Sequence, residues 1–90
     1  MYTIEFTSEV KKIMAKWKKS DPMKFKKLSN ILDDIQEHPR TGIGHPHPLK
    51  GGQDITYSRH ITKWDRIIYD IYEEEIHVLV VELEGHYDDK

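Results

Sequence analysis

Residues 55–84 read ITYSRHITKWDRIIYDIYEEEIHVLVVELE, and this stretch decides the fold. It contains three segments rich in Ile, Val, Tyr and Thr, at 55–62, 66–72 and 75–84, a composition typical of β-strands. Only two short polar turns separate these segments, and turns this short join strands that run in opposite directions. The stretch therefore predicts three antiparallel strands in a meander.

Two amphipathic helices are predicted ahead of these strands. Apolar residues between positions 10 and 17 recur at the i, i+3, i+4, i+7 spacing of one helical face, and lysines occupy much of the remaining surface. Asp21 and Pro22 favour the start of a second helix, which Pro39 should end. Residues 2–6 alternate apolar and polar side chains, which predicts a strand before the first helix.

The resulting order of elements is β-α-α-β-β-β, with a Pro- and Gly-rich loop at 39–54 that is expected to lack regular structure. This order predicts a single α+β domain over residues 1–90. Its small single-layer antiparallel sheet should carry the two N-terminal helices on one face, leaving the other face open for a ligand.

Composition limits the class of protein. Ninety residues, 37% of them apolar, with a formal net charge of −2, are too few for a second hydrophobic core. The absence of Cys excludes a disulfide framework and a zinc ribbon. No apolar run approaches the roughly 20 residues that cross a bilayer, and the first residues do not resemble a secretory leader. We therefore expect a cytoplasmic protein with no membrane partner.

Charge is distributed unevenly along the chain. Eight lysines lie between residues 9 and 27 against two acidic residues, whereas residues 70–90 contain eight acidic residues and one lysine. A lysine-rich surface suits a polyanion such as RNA, although a solvated helix face is the ordinary alternative. The eight lysines are Lys11, Lys12, Lys16, Lys18, Lys19, Lys24, Lys26 and Lys27.

Histidine and arginine are the residue types left to carry chemistry. The sequence has no Cys, no Gly-rich phosphate loop and no GxSxG or HExxH motif. His47 lies in the Pro- and Gly-rich loop, His86 follows the last strand, and Arg59 and Arg66 lie within neighbouring strands. Such a set can break an RNA phosphodiester by its own 2′-OH. One group accepts the hydroxyl proton, another protonates the departing 5′ oxygen, and a guanidinium stabilises the phosphorane.

These residues also have structural interpretations, which the residues alone leave open. His47, between two prolines, could be an extended and solvated loop residue. Arg66 could form an ion pair with Asp65 or Asp70, and Arg59 could neutralise an acidic side chain across the sheet.

Four short blocks are more specific than composition. They are GHPHPLKG at 44–51, YSRHIT at 57–62, DRIIY at 65–69 and GHY at 85–87. In order and spacing the chain resembles the YoeB/Txe toxins of the RelE-like superfamily over roughly residues 1–87. The resemblance implies a compact α+β fold and a toxin of a type II toxin–antitoxin system. It also implies an endoribonuclease that enters the ribosomal A site and cuts the mRNA there by metal-independent 2′-OH attack.

The resemblance further implies roles for single residues. Arg66 matches the phosphate-stabilising arginine of the family, His86 its general acid, and Tyr87 the terminal tyrosine that helps to position the RNA. Lys50 and Arg59 match supporting basic positions. The implied site contains no metal and no cofactor.

One position departs from the family pattern. Where the family usually carries a glutamate as general base, this chain has His47. Histidine, with a reference pKa near 6.5 against about 4.3 for glutamate, is the stronger base at neutral pH, but it brings no anion. Two alternatives to an active nuclease therefore stay open. One is a catalytically impaired co-repressor, and the other is a ParE-like gyrase inhibitor that acts by binding.

The partners follow from the same resemblance. We expect a cognate antitoxin of the YefM/Axe kind, whose acidic side chains would compete with RNA for the basic surface. The 70S ribosome and its mRNA are the expected targets. A second copy of the chain is a further candidate partner.

Overall fold

The computed structural model describes residues 1–49 and 55–85. Two helices and five strands follow one another, which is the predicted order β-α-α-β-β-β with one additional short strand after the second helix. Three residues predicted to serve the site, Lys50, His86 and Tyr87, lie outside the described residues. The elements are β1 (Thr3–Phe6), α1 (Ser8–Ser20), α2 (Pro22–Glu37), β2 (His47–Pro48), β3 (Thr56–His60), β4 (Arg66–Tyr72), a 3₁₀ turn (Glu73–Glu75) and β5 (His77–Glu84).

Side-chain caps set the starts of both helices. Thr7 Oγ1 accepts a hydrogen bond from the backbone N–H of Val10, and Asp21 Oδ1 accepts one from the backbone N–H of Lys24, each at 3.2 Å. α2 ends two residues before Pro39, as the sequence predicts. Neither helix in the described part of the chain has the length and apolar character needed to span a bilayer.

The five strands form one sheet in the order β1-β5-β4-β3-β2. β3, β4 and β5 pair antiparallel, which confirms the predicted meander. β2 lies in the segment expected to lack regular structure and adds two residues to the edge of β3. β1 pairs parallel with β5, so the sheet is mixed rather than wholly antiparallel. The reason is topological: the helices carry the chain away from β1, it re-enters the sheet at the opposite edge, and its last strand returns beside the first.

Both helices pack on one face of the sheet, as predicted. α1 and α2 each contribute apolar residues that pack against β3, β4 and β5 in one cluster, which is the hydrophobic core. The buried members are Val10, Trp17, Leu28, Ile31, Ile35, Tyr57, Ile61, Ile67, Tyr69, Ile71, Val78, Val80 and Leu83.

Side chains alternate between the two faces of the sheet along β4. Ile67, Tyr69 and Ile71 belong to the core beneath the helices. Arg66 and Ile68, which alternate with them, therefore point to the opposite face. We call this face, on the side away from the helices, the far face. It is the face that the sequence predicts to be open for a ligand.

Candidate active site

Strand register brings four residues into one row on the far face. His47 pairs with Ser58, Ser58 pairs with Ile68, and Ile68 pairs with Glu82. Directly opposed residues of antiparallel strands point to the same side of a sheet. Ser58 and Ile68 are buried at the centre of the row, with 1% and 7% of their surface exposed, whereas His47 and Glu82 are exposed at its ends. A ligand can therefore reach the ends of this row more readily than its centre.

Arg66 lies in a second row on the far face. His60 of β3 and Glu84 of β5 pair with it on either side. Arg66 Nε donates a hydrogen bond of 2.7 Å to Glu84 Oε1, and the two side chains are 40% and 37% exposed. A phosphate can approach a guanidinium that is exposed to this extent. The acidic partner of Arg66 is thus Glu84, and neither of the two nearby aspartates considered from the sequence.

Glu82 and Glu84 interact with each other beside Arg66. The hydrogen bond from Arg66 holds the pKa of Glu84 below its usual value. Partial burial of the carboxyl and its hydrogen bond with Glu84 raise the pKa of Glu82. Glu84 is therefore the ionised partner of Arg66, and Glu82 is the member of the pair that binds a proton first as the pH falls.

His47 lies at the edge of the sheet with one ring nitrogen engaged. Its Nδ1 lies 3.2 Å from the backbone carbonyl oxygen of His45. Because a carbonyl only accepts hydrogen bonds, this contact requires the proton on Nδ1, and Nε2 of the neutral ring then keeps its lone pair. β3 separates β2 from β4, and Arg66 lies two residues along β4 from Ile68, which is in the row of His47. The Cα atoms of His47 and Arg66 therefore lie roughly 12 Å apart on the sheet. They share the far face with room for a phosphodiester between them.

Arg59 lies on the opposite face, in the core, and the prediction that it contacts RNA is wrong. Its side chain is fully buried. Nη1 donates to Asp34 Oδ2 at 2.6 Å, and Nε donates to the Tyr69 hydroxyl at 2.9 Å. The remaining donors bind the backbone carbonyls of His38, Thr41 and Ile43. All five N–H groups of the guanidinium are therefore engaged, and none remains for a phosphate.

The buried Arg59 instead fixes the loop that leads to His47. The carbonyls it binds belong to residues 38–43, directly after α2. Next comes Gly44, whose φ is +81° and where a Cβ would lie 2.7 Å from the backbone oxygen of His60, so the loop requires glycine at this position. The His60 N–H in turn donates to the Gly44 carbonyl at 2.7 Å. Arg59 is thus hydrogen-bonded to the loop that precedes His47 in the chain.

Acid should weaken this cluster through Asp34. Burial acts to raise the pKa of Asp34, but the hydrogen bond from Arg59 and the backbone N–H of Ile43 outweigh it, so the pKa lies below its ordinary value. A depressed carboxyl pKa contributes stability that is fully present above the unfolded-state pKa, near 3.9, and is lost as the pH falls through the folded-state pKa.

We therefore expect the urea midpoint of the wild type to fall more steeply between pH 5 and pH 3 than that of Asp34→Asn. The matched control is Asp33→Asn, which removes the exposed carboxylate of the preceding residue and should keep the wild-type slope. Equal slopes for all three proteins would contradict the assignment.

The N-terminal lysines confirm the expectation of a basic surface. Seven of the eight are exposed on α1 and α2. The exception is Lys24, whose Nζ lies 3.4 Å from Asp65 Oδ1 and 4.4 Å from the ring centroid of Trp17. Across residues 1–49 and 55–85, His, Cys, Asp and Glu side chains form no group of three that could hold a metal ion.

Comparison with known proteins decides the family. Residues 6–87 match the model of the YoeB-like toxins of bacterial type II toxin–antitoxin systems. The chain belongs to this family. The YoeB toxin of Streptomyces coelicolor is 31% identical over 84 residues, which cover 93% of this chain and 98% of that protein. The YoeB-like chain is thus a toxin of a type II toxin–antitoxin system.

Solved structures of YoeB agree with the fold. The heterotetrameric complex of YoeB with YefM from Staphylococcus aureus aligns with a TM-score of 0.81 at 25% identity, covering 97% of this chain and 99% of that one. The YoeB dimer of the same organism aligns with a TM-score of 0.81 at 25% identity, covering 96% and 98% of the two chains. The predicted family resemblance and the α+β class are both confirmed.

Sequence reasoning missed four residues of this YoeB-like protein that the structure brings forward: Asp34, Tyr69, Glu82 and Glu84. The pairing of Glu84 with Arg66 could have been predicted from the sequence. Arg66 begins β4 and Glu84 ends β5, and these two ends lie side by side in an antiparallel pair. Asp34 carried no comparable signal, since it lies in a helix far along the chain from Arg59.

Proposed function

We propose that this YoeB-like toxin is a ribosome-dependent mRNA interferase, an endoribonuclease that cuts mRNA in the ribosomal A site and thereby inhibits translation. The observation that carries the proposal is the shared location of His47 and Arg66 on the far face, two strands apart. Membership of the YoeB-like family and the exposed lysines of the two helices, which suit a ribosomal RNA surface, support it.

The proposed reaction uses the 2′-OH of the RNA itself. Nε2 of neutral His47 accepts the hydroxyl proton, and the 2′ oxygen attacks the adjacent phosphorus. Arg66 stabilises the charge of the phosphorane, and His86 donates a proton to the departing 5′ oxygen. The products are a 2′,3′-cyclic phosphate and a free 5′-hydroxyl. No metal and no cofactor takes part, and Lys50 and Tyr87 help to hold the RNA.

The proposed partners are an antitoxin and the translation machinery. Because the YoeB of Staphylococcus aureus is found in complex with YefM, we infer a YefM/Axe-like antitoxin for this chain. An acidic antitoxin segment would cover Arg66 and the lysines and so compete with RNA. Self-association is a further part of the proposal, since that YoeB also occurs as a dimer. The site of action is the bacterial cytoplasm, where ribosomes translate.

Primer-extension mapping of an mRNA in a cell-free bacterial translation reaction tests the proposal. We expect cuts within the A-site codon that require ribosomes. If the protein makes no cut with or without ribosomes yet binds an antitoxin, the binding-only co-repressor replaces the nuclease. If it blocks DNA supercoiling and spares mRNA, it acts as a gyrase inhibitor instead.

The pH dependence of cleavage should identify the general base. With His47 as base and His86 as acid, we expect a bell-shaped rate profile, because the reaction needs the base deprotonated and the acid protonated at the same time. His47→Ala should lower the rate by about 100-fold, and His47→Glu should move the acidic limb to lower pH. The control is His77→Ala, which removes an imidazole that interacts with Glu5 at the far end of β5 and should leave the profile unchanged. A rate that is flat from pH 5 to pH 8 would exclude the pair of histidines.

A further inference from the structure

Arg66, the proposed phosphate-binding residue, is already bound to a carboxylate. Its Nε donates to Glu84 Oε1 at 2.7 Å, and among the described residues Glu84 is the partner of this guanidinium. The bond joins the start of β4 to the end of β5, two strands that pair directly, so backbone register holds the two side chains opposite each other.

A second carboxylate adds to the negative charge at this point. Glu82, two residues before Glu84, lies on the same face, and the negative charge of Glu84 is one of the causes that raise the pKa of Glu82. One guanidinium thus faces two carboxyl groups. As the pH falls, Glu82 binds a proton and loses its charge before Glu84 does. The lowered pKa of Glu84 indicates that the carboxylate on Arg66 stays ionised at neutral pH. A phosphodiester approaching Arg66 therefore meets an occupied and electrostatically screened cation.

We propose that Glu84 competes with the RNA phosphate for Arg66. This competition weakens the binding of RNA that is free in solution and not held in a larger assembly. The inference rests on the proposed function in one respect, that Arg66 is the phosphate-binding residue. The competition is direct, because carboxylate and phosphate both seek the same planar fork of N–H donors.

The chain offers a matched pair of substitutions. Glu84→Gln keeps an amide oxygen that can accept from Arg66 Nε but removes the charge. Glu82→Gln makes the same change in net charge two residues away, on a side chain that has no hydrogen bond to Arg66. A general electrostatic effect would be shared by both variants, whereas competition for Arg66 is specific to Glu84→Gln.

Fluorescence anisotropy with a labelled, fully 2′-O-methylated single-stranded RNA measures the effect without ribosomes. This probe lacks the attacking hydroxyl, so the assay is independent of cleavage. We expect Glu84→Gln to tighten binding about fivefold more than Glu82→Gln, the range of an ion pair that is partly exposed. The gain should disappear in Arg66→Ala/Glu84→Gln compared with Arg66→Ala. Thermal melting of each variant establishes that it is folded before binding is measured.

Three outcomes would overturn the proposal. Equal gains in the two glutamine variants, or a Glu84→Gln gain that persists without Arg66, would mean a general charge effect. Weaker binding by Glu84→Gln would mean that Glu84 aligns Arg66 for the phosphate. The binding assay uses an RNA that cannot be cleaved, so its result does not depend on catalysis. Absence of mRNA cleavage in the translation assay would contradict the proposed function and would not change the result of the binding assay.

Discussion

Arg59→Ala is expected to lower the free energy of unfolding by about 3–5 kcal/mol, the cost of removing one partner from a buried, hydrogen-bonded ion pair. The substitution removes a fully buried side chain and leaves Asp34 and three backbone carbonyls without their donor. It also opens a cavity beside the Tyr69 ring, which adds to the loss. Urea unfolding at pH 7, followed by far-UV circular dichroism, measures the change.

Two further arginine variants make this result interpretable. Arg59→Lys keeps the charge but not the five-donor fork, so it should lose less stability than Arg59→Ala and still measurably more than a surface change. Arg40→Ala is the control: this partly exposed arginine pairs with Glu73 at the surface and lies over the Tyr57 ring, and its loss should destabilise the protein less than Arg59→Ala does. A cost for Arg59→Ala no larger than that of Arg40→Ala would mean that the buried cluster does not hold the fold.

Arg66→Ala is expected to reduce ribosome-dependent cleavage by at least about 100-fold, the usual cost of losing a donor that stabilises charge developing in the transition state. Stability should change by less than about 1 kcal/mol, because the Arg66–Glu84 pair is partly exposed. Arg66→Lys should recover only part of the activity, since an ammonium cannot bind two phosphate oxygens in the plane of a guanidinium. Quantified A-site cleavage with matched amounts of folded protein gives the measurement.

The contrast between the two arginines makes the test discriminating. The main expected effect of Arg59→Ala is a loss of stability. The main expected effect of Arg66→Ala is a loss of activity in a protein that remains folded. Cleavage by Arg66→Ala within threefold of the wild type would remove Arg66 from the reaction.

Local sequence patterns predicted most of the fold. The apolar stripe of α1, the cap and proline that begin α2, and the β-rich segments after residue 55 each correspond to an element of the structure. The parallel pairing of β1 with β5 was missed, because the direction of a strand relative to a distant neighbour depends on the path of the whole chain. β2 was missed because its two residues, one of them proline, carry no strand pattern of their own.

The site was predicted less completely, and strand alternation explains the main error. Arg59 lies two residues from Tyr57 and two from Ile61, both of which belong to the core. Because alternate residues of a strand point to the same face, the sequence already indicated that Arg59 points to the helix side of the sheet. Its charge suggested a surface role instead. An acidic partner for Arg59 was predicted, but not which residue it would be. The partner is Asp34 of α2, and its contact with Arg59 depends on how this helix packs against the sheet. That His47 and Arg66 share one face of the sheet was not predicted, because the sequence analysis placed His47 in an irregular loop and not in a strand.

The parallel pairing of β1 with β5 also has a consequence for the time course of synthesis. Thr3 pairs with His77, so β1 finds its partner only after both helices and the other strands of the sheet have been synthesised. Contacts this distant along the chain close late, since the loop entropy must be overcome before they form. β5 likewise brings Glu84 to Arg66. A nascent chain therefore cannot complete its far face until β5 has left the ribosome and paired with β4.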